Sequence, residues 1–82
     1  MVLREKITLR QSTRVAFLFS ESLEKNIVEI IQTIAVNDDG TEIKDILDVP
    51  EEEIYEIFGS YIAKKNSLKK NFADKMKDSI TP

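Results

Sequence analysis

The chain has 82 residues, 41% of them hydrophobic, enough for one small core and too few for a two-domain enzyme. Fifteen acidic residues against twelve basic ones give a formal charge of −3. Cysteine and histidine are both absent, which excludes disulfides, thiolate nucleophiles, the usual zinc ligands and the side chain best suited to proton transfer near neutral pH.

The small net charge hides a segregation: residues 1–14 carry +3, residues 15–56 carry −10 and residues 57–82 carry +4. The longest unbroken apolar run is Val15 to Phe19, whereas a bilayer span needs about 20 such residues and a signal-peptide apolar region at least about seven. The expectation is a cytoplasmic protein with no transmembrane segment, one domain over residues 1–82, with residues 1–4 and 78–82 frayed. A core this small, with no disulfide and no expected metal or cofactor, gains little stability alone, which predicts a homodimer.

Residues 5–10 alternate polar and apolar, placing Ile7 and Leu9 on one face of a strand and Lys6, Thr8 and Arg10 on the other. Such a strand needs a partner, either residues 14–19 in a hairpin or the same strand of a second chain. Next, Val15, Phe19, Leu23, Ile27, Ile30, Ile31 and Ile34 recur at spacings of three and four, one stripe along a helix. Ser12 or Ser20 caps its start. From Ser12, Phe17 and Leu18 fall off the stripe and become a candidate dimer surface; from Ser20, residues 14–19 form a strand.

Asn37-Asp38-Asp39-Gly40 stops the helix, because Asn and Gly tolerate positive φ and Asp side chains bond their own backbone. A calcium loop does not fit: Gly40 at the sixth position puts Ala35 first and Ile46 twelfth, where carboxylates are required. Thr41 then caps a short helix over 42–47, and Asp48-Val49-Pro50 breaks it and starts another over 50–63. There Glu51, Glu52 and Glu53 sit at the positive end of the dipole, and Ile54, Ile57, Phe58, Tyr61 and Ile62 face inward. A fourth, basic helix carries Leu68, Phe72 and Met76 among Lys69, Lys70, Lys75 and Lys77. The fold class expected is mainly α: a small bundle of three to four helices, with a short N-terminal β-strand or hairpin.

Residues 41–58 resemble the helix-turn-helix pattern, with Ile43, Leu47, Asp48, Val49, Pro50 and Ile54 in its cadence and Val49 plugging the turn. Asp48 stands where that pattern usually has glycine, and Lys44 where it has a small packed residue. The resemblance implies a DNA-reading second helix, but its exposed first turn is Glu51, Glu52, Glu53 and Glu56, which a duplex repels. Lys6, Thr8 and Arg10 also resemble, over about six residues, the strand face of ribbon-helix-helix proteins, which lies in the major groove.

The glutamates are therefore read as a solvated face, as a docking surface for a basic partner, or as a catalytic pair. The basic tail is read as a solvated helix packed on the core, as a phosphate or anionic-membrane contact, or as a partner for the acidic region of another copy. Small cysteine-free chains rich in lysine and isoleucine are common among phage-encoded and bacterial regulators, an analogy that bears on role. The leading expectation is a non-enzymatic regulatory or adaptor protein, binding another protein through Glu51, Glu52, Glu53 and Glu56. The alternative is a DNA-binding regulator whose contacts come from Lys6, Thr8, Arg10 and Arg14 or from Lys64, Lys65, Lys69 and Lys70.

Overall fold

A computed structural model describes the backbone of residues 1–80 and the side chains of residues 1–77. The order is β1 (Val2–Leu3), α1 (Leu9–Glu21), α2 (Leu23–Ile34), β2 (Ala35–Val36), a single 3₁₀ turn (Ile46–Asp48) and α3 (Glu51–Ile80). The protein is thus mainly α, three helices with one short antiparallel strand pair, in which Val2 faces Val36 and Leu3 faces Ala35.

The expected strand over 5–10 is not formed. Thr8 and Gln11 make a capping box: the Gln11 amide donates to Thr8 Oγ1 at 3.1 Å and the Thr8 amide to Gln11 Oε1 at 2.9 Å. Two otherwise orphaned donors are satisfied, so a helix starts at Leu9 and overrides the two-residue alternation. Near the N-terminus the Arg4 amide donates to Ile34 O at 2.8 Å and Arg4 Nη2 to Gln32 O at 3.0 Å. For residues 78–82, the backbone of 78–80 continues α3 and the rest lies outside the described residues.

The apolar stripe from Val15 to Ile34, expected on one helix starting at Ser12 or at Ser20, lies on two helices joined at Ser22. This residue adopts an extended conformation and serves both: its amide donates to Leu18 O at 3.1 Å, closing α1, and its hydroxyl accepts from the Lys25 amide at 3.2 Å, opening α2. Asn26 reinforces the corner, its Nδ2 donating to Leu18 O at 3.0 Å. The break changes which residues of α1 face inward. Val15 and Leu18 are buried, and Phe19, expected on the stripe, lies half-exposed and stacks on Phe58 with ring centroids 5.5 Å apart.

The core centres on α2, whose Ile30, Ile31 and Ile34 are fully buried. Val15 and Leu18 reach it from α1, Ile43 and Ile46 from the connection, and Ile54 and Tyr61 from α3. The turn at 37–40 forms as expected: Gly40 takes φ +88 and its amide donates to Asn37 O at 2.9 Å. The helix expected over 42–47 does not follow. Thr41 is engaged backwards, its amide and hydroxyl donating to Asp39 Oδ1 at 3.0 and 2.6 Å while its Oγ1 accepts from Asn37 Nδ2 at 3.1 Å. With its cap occupied, the segment runs non-helical to one 3₁₀ turn, so the helix-turn-helix cadence builds no two-helix unit. Val49 is only half-buried at the core's edge.

The expected third and fourth helices are one. Nothing between 63 and 68 breaks the chain, and α3 runs 30 residues, about 45 Å at 1.5 Å per residue, in a molecule 54 Å in its longest dimension. Its first half packs on the globule. From residue 66 to 77 every side chain is exposed.

Candidate functional site

Among the described residues no helix is long and apolar enough to cross a membrane. Two of the concave regions among the described residues, and one uncovered helix face, are candidate contact surfaces.

The first concavity, about 250 Å³, lies where the start of α2, the 3₁₀ turn and the start of α3 meet. Leu23 and Ile27 come from α2, Ile46 and Leu47 from the turn, and Val49 and Ile54 from the entry to α3. The geometry of the 3₁₀ turn sends Ile46 into the core, 4% exposed, and leaves Leu47 standing out at 85%. Tyr55 and the carboxylates of Glu24 and Glu51 complete the rim, and these two glutamates are its only charged lining residues. Glu52 and Glu56 flank Tyr55 on the adjoining surface. Glu51, Glu52, Glu53 and Glu56 are all exposed, as expected for the first turns of a helix whose free N–H groups favour negative charge.

The second concavity, about 310 Å³, gathers residues far apart in sequence: Lys6 before α1, and Lys64, Lys65 and Leu68 from α3, around Ser12 and Tyr61. The Ser12 and Tyr61 hydroxyls are 3.2 Å apart, Lys64 Nζ donates to Glu5 O at 3.3 Å, and Lys65 Nζ lies 5.9 Å from the centre of the Tyr61 ring. The other basic candidates are not brought here as a set. Thr8 is spent on capping α1. Arg10 is on a helix, not a strand face, and Arg14 pairs with Glu29 across α1 and α2 at 3.1 Å. Lys69 and Lys70 lie farther out on α3.

The candidate dimer surface is corrected at one residue. Leu18 is buried within its own core and offers nothing to a second chain, because the break at Ser22 turns it inward; Phe17 remains exposed beside Arg14.

The third surface is the outer half of α3. Leu68, Phe72 and Met76 continue, at helical spacing, the face that buries Ile54 and Tyr61 farther back, yet Leu68 is 60% exposed and Phe72 66%. The globule simply ends before the stripe does. Sequence reading does not find the first concavity: Leu23 and Ile27 sit on the apolar stripe and are half-buried here, Leu47 falls in the short helix expected over 42–47, and Tyr55 has no expected role. The one signal was the doublet Ile46-Leu47, of which a tight turn can bury only one.

Among titrating groups, Asp39 is held below the usual carboxylate range, chiefly by the Thr41 hydroxyl and then by the Thr41 amide, both donating to it. This belongs to the turn and not to a reactive site. No family model matches the chain, and no curated protein and no solved structure matches it.

Proposed function

We propose that the protein is a non-enzymatic binding protein that seats a basic, amphipathic helix of another polypeptide on the groove between α2, the 3₁₀ turn and α3. One observation carries the reading: a concave apolar floor whose charged lining is entirely carboxylate, Glu24 and Glu51, with Glu52 and Glu56 beside it. Helix-in-groove recognition combines such a floor with complementary charge, the apolar contact supplying affinity and the charges register and encounter rate. Leu47, almost fully exposed, supplies apolar contact area that folding leaves unused.

The test is an NMR titration of the labelled protein with an unrelated lysine-rich amphipathic peptide. Shifts should map to Ile27, Leu47, Val49 and Ile54 and vanish in Leu47→Asp. A glutamate-rich peptide of the same pattern perturbing the same residues equally would sink the reading.

A second reading is supported by the meeting of Lys6, Lys64 and Lys65 around one concavity. Three ammonium groups from two distant parts of the chain, against the one acidic lining residue Glu5, suit a phosphate backbone, in keeping with a DNA-binding regulator. Electrophoretic shift with a salt titration checks this: binding through several phosphates weakens steeply with salt, and no shift even at about 50 mM eliminates it.

A further inference from the structure

We infer that the basic outer half of α3 is itself a ligand for the acidic groove, and that two copies of the chain exchange these segments to close a dimer. This rests on the preceding reading of the groove and names its occupant.

Three features converge. First, the stripe of Leu68, Phe72 and Met76 is the uncovered continuation of a core-facing stripe, so the helix is built to be covered along its whole length but is covered over only half. Second, the segment around it is basic, with Lys64, Lys65, Lys69, Lys70, Lys75 and Lys77 against Asp74 and Asp78 in the sequence, while the groove's charged lining is acidic. Third, the alternative of two stripes packing on each other would bring two lysine-rich segments together, which costs repulsion; stripe against groove brings opposite charges together. Phe72, at the centre of the stripe, is the side chain positioned to enter the apolar floor.

Reach excludes self-closure and favours exchange. The groove includes Ile54 and the stripe centres on Phe72, both on one straight helix, which sets them about 27 Å apart along the axis at 1.5 Å per residue. A helix cannot fold back on its own N-terminal half without breaking, so the groove must be filled from a second chain. Because each copy carries one stripe and one groove, reciprocal docking gives a closed two-fold pair with no unfilled site.

Charge reversal in the native full-length chain tests this. By sedimentation at high micromolar concentration the protein should have twice its 9.4 kDa chain mass, and the dimer should weaken as salt rises. Lys69→Glu with Lys70→Glu, and separately Glu24→Lys with Glu51→Lys, should each raise the dimer dissociation constant by tenfold or more, about what one or two close charge pairs supply. Mixed together, the two variants should dimerise again, because acidic tail then meets basic groove and native tail meets native groove. Phe72→Asp, at an exposed position, should be folded by circular dichroism and monomeric by sedimentation, and provides an independent route if a charge variant loses its fold.

A wild-type chain that stays monomeric overturns the inference, as does a dimer indifferent to both reversals or a mixture that fails to restore it. If the chain is monomeric while the unrelated peptide still binds the groove, only the identity of the occupant is lost. If the peptide does not bind either, the reading of the groove falls as well.

Discussion

Ser22 serves two helices at once, because one backbone amide and one hydroxyl end one helix and begin the next. Ser22→Ala keeps the amide and loses the hydroxyl, and should cost about 1 kcal/mol in chemical denaturation, typical of an N-cap; an unchanged midpoint would mean that α2 does not depend on it. The two glycines should respond in opposite directions. Gly59 sits inside α3 with open space where a Cβ would go, so Gly59→Ala should stabilise by about 0.5–1 kcal/mol through the unfolded chain's lost freedom. Gly40 holds φ +88, and Gly40→Ala should destabilise by a comparable or larger amount. Thermal melts of the pair give the two signs directly. For Asp39, a folded-state pKa below the ordinary 3.8 means that its hydrogen bonds to Thr41 stabilise the turn above that pH and are lost as pH falls through the lower folded value. Carboxyl carbon shifts should titrate with a midpoint below 3.8, and Thr41→Val should move it upward; a wild-type midpoint at or above the ordinary value contradicts the turn geometry.

At the level of elements, α2 and the outer half of α3 are opposites. Ile30, Ile31 and Ile34 are fully buried, and α1 and α3 both pack on α2. Ile31→Ala should therefore cost about 2–5 kcal/mol, the usual range for removing buried methyl groups, which is enough to unfold much of a domain this small. Phe72→Ser removes a larger side chain, yet the melting of the monomer should barely change because that side chain leaves water little on folding. Equal losses from the two substitutions would show that the outer helix is packed rather than projecting. The apolar periodicity of α2 was plain in the sequence, as was the stop at 37–40. Its start was not, because the stripe continues back through Leu23 and Phe19 and nothing in periodicity marks a corner whose signal is one serine. The opposite error joined to it: Lys64-Lys65-Asn66-Ser67 looks like a break, but none of these residues forbids helix, and α3 passes through.

Over the whole molecule, charge follows architecture. The −10 middle supplies the carboxylates at the start of α2 and of α3, and the basic C-terminal part forms the helix that leaves the globule. The sequence by itself determined the helical class, the isoleucine core of α2, the turn at Gly40 and the segregation of charge, since each depends on short-range spacing or on composition. Only the tertiary structure decided that Leu18 is inward and Leu47 outward, that Lys6 joins Lys64 and Lys65, and that Leu68, Phe72 and Met76 stay exposed. Those outcomes turn on where a helix corner falls and where the globule ends, and both are set by packing between segments tens of residues apart.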